Sequence, residues 1–336
     1  MEIRTNDPLD MRLYRLPALR RWKGRNDGDE LTHRRWHQHV QLLDLSASTP
    51  TRTEQGLAVA ILGFACDEGV KRNLGRPGAA EGPETIRRAL ANLPVSHPEV
   101  AIYDAGDITC PNNDLETSQQ QLALAVTKVL NSGAFPILLG GGHEITYPHY
   151  AGIATFLKDH QEVGVVNFDA HFDNRTIGEN GPSSGTGFWQ IAKDCLDHNT
   201  LFRYLALGIE ETSNTRHLFD TAENTGTQYI TADQFDSNLY KKQLEGFCGA
   251  CDQLYLTIDM DVFAAPYAPG VSAPAYNGIR PDSRFFNSLK TIIDTGKLVS
   301  LDLAELNPAM DIDNRTAKLA ATIIFQSVNY LAEQRR

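Results

Sequence analysis

Five cysteines, Cys66, Cys110, Cys195, Cys248 and Cys251, are all that this chain of 336 residues carries. So sparse and odd a set excludes a disulfide-stapled secreted scaffold and points to a reduced, cytoplasmic protein. Cys248-Gly249-Ala250-Cys251 has redox or zinc spacing, but no second pair accompanies it and an apolar run follows. A structural role is expected there. Also missing is any run approaching the ~20 apolar residues of a membrane span, and the charged start is not a signal peptide. Internal repeats, low-complexity tracts and interdomain linkers are absent too. Positive charge is in deficit: 31 Lys and Arg face 42 Asp and Glu, leaving a formal charge of −11 and a pI near 5.4. That balance argues against nucleic acid as a partner, although residues 20–25 and 33–39 are basic and aromatic. Those stretches are expected to pack on the rest of the chain or on a neighbouring subunit, with His33, His37 and His39 as ordinary surface or interface histidines.

What is present is a regular alternation of short apolar runs and longer amphipathic segments. Strands are expected at 57–65, 100–103, 135–139, 163–168, 204–208, 228–230, 253–258 and 298–303. Helices are expected at 82–93, 115–130, 147–157, 188–195, 212–221, 239–247, 281–295 and 316–333. Gly82-Pro83-Glu84 and Pro281-Asp282 place proline and an acid at helix starts. Strand and helix alternating in this way demand parallel strands, right-handed crossovers and helices on both faces of one sheet. The expected division is an N-terminal extension over residues 1–50 and one catalytic domain over 51–336. Residues 175–187, rich in Gly, Ser, Asn and Pro, read as an active-site loop, and 264–277 as another wall.

Six candidate metal ligands stand where the buried runs end. They are His143 in Gly140-Gly141-Gly142-His143-Glu144, then Asp169, His171 and Asp173 in Asp-Ala-His-Phe-Asp, then Asp259 and Asp261 in Asp-Met-Asp. A lone Asp-x-Asp or Gly-Gly-His is usually a turn; three such groups, each after a strand buried on both faces, converge on one sheet edge. Within the second and third groups the ligands recur at every second position, which turns them to one side of an extended strand end. Four carboxylates and two imidazoles suit Mn²⁺ best, with Zn²⁺, Co²⁺ or Ni²⁺ as alternatives. Four negative charges balance two divalent ions, and a water between such ions becomes a nucleophile near neutral pH. The slight negative excess favours a cationic carbon electrophile such as an amidinium.

These segments, in this order, resemble those of the ureohydrolases, the arginase and agmatinase superfamily, over residue 57 to the C-terminus. Glu305-Leu306-Asn307-Pro308 is similar to the Glu-x-Asn-Pro segment whose glutamate holds the guanidinium or amidine in that family. The resemblance implies a three-layer α/β/α arginase-like fold around a mostly parallel eight-stranded sheet, and two Mn²⁺ per chain. It assigns His143, Asp169, Asp173 and Asp259 to one ion and Asp169, His171, Asp259 and Asp261 to the other, with Asp169 and Asp259 bridging. Within the superfamily, Arg72-Asn73-Leu74-Gly75-Arg76-Pro77-Gly78-Ala79 and Ser183-Ser184-Gly185-Thr186 resemble stretches of the formimidoylglutamases. Arginases carry a His-Gly at the second stretch, so its absence moves the acid role to Asp173. The implied reaction is hydrolysis of N-formimidoyl-L-glutamate to L-glutamate and formamide in histidine degradation. Glu305 would hold the amidinium. Arg175, assisted by Arg76 (or Arg72) and with Asn73, Ser184, Gly185 and Thr186 as further contacts, would bind the carboxylates. Lys71 receives no role. Asn73, Gly75 and Gly78 have an equally good conformational reading, as shapers of the loop. The alternatives are another ureohydrolase acting on a guanidino acid or agmatine, and a non-catalytic metal-binding relative. The expected partners are a small dicarboxylate amidine and further copies of the chain in a homo-oligomer, with no nucleic acid and no membrane.

Overall fold

In the computed structural model, residues 3–5, 7–28, 30–46, 56–157, 162–236 and 238–335 are described. The boundary expected between residues 50 and 51 lies outside them. Eight strands match the expected set: β3 (Ala58–Ala65), β4 (Ala101–Thr109), β5 (Phe135–Gly140), β6 (Val163–Phe168), β7 (Arg203–Ile209), β8 (Gln228–Thr231), β9 (Gln253–Asp259) and β10 (Leu298–Ala304). Two more, β1 (Tyr14–Arg15) and β2 (Gln41–Leu42), come from the N-terminal stretch, so among the described residues the sheet has ten strands rather than eight. Both pair with β4, β1 antiparallel and β2 parallel, and every other pairing is parallel. Two-residue strands carry too little apolar periodicity to be read from sequence.

The order across the sheet is β1-β4-β3-β5-β10-β9-β6-β7-β8. Helices Gly82–Leu90, Leu115–Asn131, Thr146–Leu157, Gly187–Asp197, Arg216–Asn224, Asn238–Ala250 and Ser283–Asp294 connect successive strands from β3 to β10, and Arg315–Gln334 follows β10. Two hydrophobic clusters divide the side chains. Val59, Ile61, Ile137, Leu139, Ile258 and Leu303 belong to one, Ala60, Leu62, Leu138, Val165 and Tyr255 to the other. Alternate residues of one strand thus feed opposite faces, which is why these runs are apolar throughout. Among the described residues no helix is long and apolar enough to cross a membrane.

Two elements depart from expectation for visible reasons. β4 runs to Thr109, past the polar Asp104-Ala105-Gly106-Asp107, because both carboxylates are neutralised within the fold: Arg87 donates to Asp104 at 2.9 Å and to Asp107 at 2.6 Å. Gly106, at φ +77, sits where β4 shifts register against β3, and an added Cβ would lie 2.3 Å from the Arg15 carbonyl. The helix expected from 212 begins at Arg216. Asn214 holds the preceding segment to the candidate site instead, donating to the carbonyls of Ala170 and Glu210 and accepting from the Phe172 N–H.

The N-terminal stretch lies along this edge. Trp22 and Trp36 are buried in the first cluster with Leu90 and Val100. The Trp22 indole donates to Asp104 at 2.9 Å, and Arg21 donates to Asp107 at 2.6 Å and Glu84 at 2.7 Å. His37 and His39 face the backbone carbonyls of Arg25 and Val100.

Candidate active site

β5, β10, β9 and β6 are consecutive neighbours in the sheet, and the residues following them are His143, Glu305, Asp261 and Asp169 with His171 and Asp173. Four adjacent carboxyl ends therefore supply the site, the location where an open parallel sheet binds its ligand. Asp259 closes β9 in register with Ala304 of β10, and Phe168 of β6 aligns with Ile258. Asp169 and Asp259 thus stand side by side.

Two groups of side chains converge. His143, Asp169, Asp173 and Asp259 each offer a ligand atom within 4.8 Å of the others, and so do Asp169, His171 and Asp261. His143 Nδ1 lies 3.2, 3.0 and 3.3 Å from carboxylate oxygens of Asp169, Asp173 and Asp259. His171 Nδ1 lies 3.0 Å from Asp261 and 3.5 Å from Asp169. Asp169 faces the two imidazoles with different oxygens, Oδ2 toward His143 and Oδ1 toward His171. The carboxylates are held by their own backbone, Asp169 accepting from the His171 N–H and Asp259 from the Asp261 N–H.

The donor set fits divalent metal. One imidazole hydrogen cannot serve three carboxylates around His143 Nδ1, whereas a cation among the four groups would. Among the described residues Asp261 Oδ1 is buried and without a hydrogen-bond partner, and a cation in the cluster would satisfy it. Electrostatics agree. Burial opposes charge on His143, but hydrogen bonds to Asp169 and Asp173 and the charge of Asp259 outweigh it and hold its pKa well above that of imidazole. Burial pushes Asp259 well up, aided by Asp261 and Asp169. Asp261 is raised to about 6, first by burial.

Glu305 and Asp173 both have positive φ, +67° and +44°. Strained non-glycine backbone of this kind persists where the surroundings fix it, and both residues line the same cleft. The Glu305 N–H donates to the Gly141 carbonyl at 2.8 Å, while Glu305 Oε1 accepts from the His143 N–H at 2.8 Å. Burial, then the charge of Glu144, drives the Glu305 pKa well up. A cationic group in the cleft would reverse that.

The cleft above has a volume of about 330 Å³ and is lined by His171, Asp173, Asp259, Asp261 and Glu305 on its floor and by Asn73, Arg76, Arg175 and Ser184 on its walls. Arg175 is half-buried and its guanidinium has no partner among the described residues, while its backbone N–H donates to the Gly185 carbonyl. Asn73 donates to Ser184 at 3.1 Å. Arg76 is less available than its motif suggests, since its guanidinium donates to the carbonyls of Ser272 and Val271. Arg72 is spent on Glu68 and Glu116. Gly185 and Thr186 are not on the cleft wall; the Thr186 hydroxyl caps its own turn, bonding Ser183 and Gln190. Asn307 of the Glu-Leu-Asn-Pro segment donates to the carbonyls of Arg76 and Pro77, and Gly78, at φ +137°, has room for no Cβ beside it. A larger cavity of about 670 Å³ opens nearby against Glu210, Tyr267 and Arg280, but none of the six candidate ligands lines it.

Several polar side chains around the site escaped sequence reasoning: Glu144, Asn167, Thr257 and Asp302. Asn167 donates to Asp169 and to Tyr204, and Glu144 accepts from the Gly69 N–H. Three of the four interrupt apolar strand runs, which is the signal they left in the sequence.

Comparison with known proteins agrees with this arrangement. The arginase family pattern matches residues 57–329. A formimidoylglutamase of Chromobacterium violaceum is 45% identical over 315 residues, covering 92% of this chain and 97% of that protein. One of Clostridium tetani is 40% identical over 322 residues, covering 93% and 94%. Among solved structures, the formimidoylglutamase of Bacillus subtilis has the same fold, with TM-score 0.76, 23% identity and coverage of 92% and 93%. A Trypanosoma cruzi formiminoglutamase solved with Mn²⁺ gives TM-score 0.73 at 25% identity, covering 84% of this chain and 97% of that one. The chain belongs to the arginase family of metal-dependent amidine hydrolases, in its formimidoylglutamase branch.

Proposed function

We propose that this chain hydrolyses N-formimidoyl-L-glutamate to L-glutamate and formamide, a step of histidine degradation, with two Mn²⁺ per chain. His143, Asp169, Asp173 and Asp259 would hold one ion, and Asp169, His171, Asp259 and Asp261 the other. When bound, the pair supplies Lewis acidity and lowers the pKa of water at the site, making it a nucleophile near neutral pH.

The chain's own residues do the rest. Glu305 keeps one oxygen on the His143 N–H and turns the other to the substrate amidinium, positioning its carbon over the floor of the cleft. Asp173, 3.0 Å from His143 Nδ1 and exposed to the cleft, takes the proton released as the carbon–oxygen bond forms. It returns that proton to the departing nitrogen as the carbon–nitrogen bond breaks, leaving formamide and the free amine of glutamate. Arg175 is the observation that carries the substrate class. A half-buried guanidinium on the cleft wall, without a partner among the described residues, is suited to a carboxylate and would repel a cationic tail. Since Arg76 is engaged with backbone carbonyls, Arg175 bears the main carboxylate contact, with Asn73 and Ser184 completing the wall. Gly185 and Thr186 shape the loop that carries it. Five free cysteines suit a reducing, cytoplasmic compartment.

The test is a panel of formimidoylglutamate, formimidoylaspartate, arginine, agmatine and guanidinobutyrate offered to the Mn²⁺-loaded chain. Formimidoylglutamate is expected to give the highest kcat/KM, with elemental analysis finding two Mn²⁺ per chain. Faster turnover of agmatine or guanidinobutyrate would overturn the substrate and leave the metal chemistry standing.

A further inference from the structure

Beneath the site runs a row of fully buried polar side chains that the reaction does not use: Thr257 on β9, Asp302 and Ser300 on β10, and His149 on the helix after His143. Their hydrogen bonds form one continuous path. His143 Nε2 lies 2.9 Å from Thr257 Oγ1, and Thr257 Oγ1 lies 2.7 Å from Asp302 Oδ1. The other carboxylate oxygen, Oδ2, accepts from the Tyr255 hydroxyl and lies 2.6 Å from His149 Nδ1. His149 Nε2 lies 2.6 Å from Ser300 Oγ, whose hydroxyl donates to the Pro136 carbonyl at 2.9 Å.

Counting hydrogens gives the path a direction. A hydroxyl has one hydrogen to donate. Thr257 spends its hydrogen on Asp302, so it can only accept from His143 Nε2–H. In the neutral ring that metal binding requires, hydrogen on Nε2 leaves the lone pair on Nδ1, the atom that faces Asp169, Asp173 and Asp259. The path is anchored on a strand carbonyl and on a buried carboxylate gripped from three sides, so it cannot relax without leaving polar groups unpaired.

We propose that Thr257 is a positioning residue, oriented by Asp302, that locks His143 in the Nε2–H tautomer and so presents its Nδ1 to a divalent cation. This rests on the ligand assignment above, and it adds a determinant of metal affinity that lies outside the coordinating set. Partners that fix a ligand's tautomer typically govern metal affinity by ~10–100-fold.

The decisive comparison is Thr257→Val, which keeps the shape of the side chain and removes both hydrogen bonds, against Thr257→Ser, which restores the hydroxyl. Mn²⁺ affinity is measured on the whole chain, stripped with chelator, by following free Mn²⁺ with electron paramagnetic resonance. Thermal melting of the same metal-free proteins reports on folding. Thr257→Val is expected to weaken at least one Mn²⁺ by roughly 10–100-fold while Thr257→Ser stays within about twofold. A folded Thr257→Val protein with native affinity for both ions overturns the proposal. The native chain gives an independent decision if that variant fails to fold. Loaded with diamagnetic Zn²⁺ and labelled with ¹⁵N-histidine, it should show His143 with hydrogen on Nε2 and metal on Nδ1, and the opposite pattern overturns the proposal. A native chain that takes up no Mn²⁺ would sink the ligand assignment and this inference together, whereas native uptake with an indifferent Thr257→Val sinks only the inference.

Discussion

Two buried clusters of charge lie in this sheet, one on β4 beneath the N-terminal strands and one at the ends of β5, β10, β9 and β6, and they solve the same electrostatic problem differently. At β4, Asp104 and Asp107 are matched by Arg87 and Arg21, with the Trp22 indole taking a remaining acceptor. Burial opposes charge on Asp107, but Arg87 and Arg21 outweigh it and hold its pKa below the usual carboxylate range. The charges of this cluster are matched by the chain itself, although Arg21 Nη1 and Arg87 Nε are buried without a hydrogen-bond partner among the described residues. In the site, four aspartates and Glu305 share two imidazoles, the pKa values of Asp259, Asp261 and Glu305 are pushed up, and Asp261 keeps an oxygen without a partner. Buried carboxylates that the chain neutralises itself are structural; those it leaves short of positive charge are made for a ligand.

The sharpest way to break this comparison is to remove one carboxylate from the unbalanced cluster. Asp259→Ala is expected to abolish turnover and uptake of the second Mn²⁺, checked by elemental analysis and by assay with formimidoylglutamate; unchanged turnover would end the two-metal reading. The converse change belongs to the balanced cluster. Arg87→Met should lower folding stability by about 3–5 kcal/mol, because it strands two buried carboxylates, yet leave Mn²⁺ affinity of the folded fraction unchanged. Denaturant unfolding alongside a metal titration separates the two effects, and a large affinity loss would show the clusters to be coupled. Arg175→Ala tests the wall rather than the floor. It should reduce the preference for formimidoylglutamate over agmatine by roughly tenfold to hundredfold, the worth of one or two charged hydrogen bonds, with both metals retained. Comparing kcat/KM for the two substrates in both proteins decides it.

The smallest effect concerns Glu144, just behind the unbalanced cluster. Burial raises its pKa from the usual 4.5 to about 7. Between those values the folded chain holds a proton that the unfolded chain has lost, so stability contributed by the neutral acid is full below 4.5 and falls as pH rises toward 7. In metal-free protein, Glu144→Gln should flatten that part of the stability profile. Denaturation midpoints at pH 5 and pH 8 measure it, and an equal drop in both proteins would assign the slope to another group.

The two clusters were not equally legible. The ligands of the site could be read because each follows a run such as residues 163–168 that is apolar on both faces, and because alternate spacing in Asp-Ala-His-Phe-Asp survives as geometry. The balanced cluster hid inside Asp104-Ala105-Gly106-Asp107, where polarity ended the expected strand six residues early; its neutralising guanidinium, Arg87, sits on a helix 17 residues away. Arg76 likewise looks free in its motif and is tied to carbonyls 195 and 196 residues further on.

The sequence by itself determined the alternation of strand and helix, the parallel sheet and the residues carried to its carboxyl edge, since periodicity and local spacing are properties of neighbouring residues. Tertiary structure alone decided the strand order that makes β5, β10, β9 and β6 adjacent, the attachment of β1 and β2, which arginine of the cleft has no partner among the described residues, and the path from Pro136 to His143. Those depend on hydrogen bonds and ion pairs between residues far apart in the chain, whose partners are chosen only when the sheet closes and every buried polar group must find one.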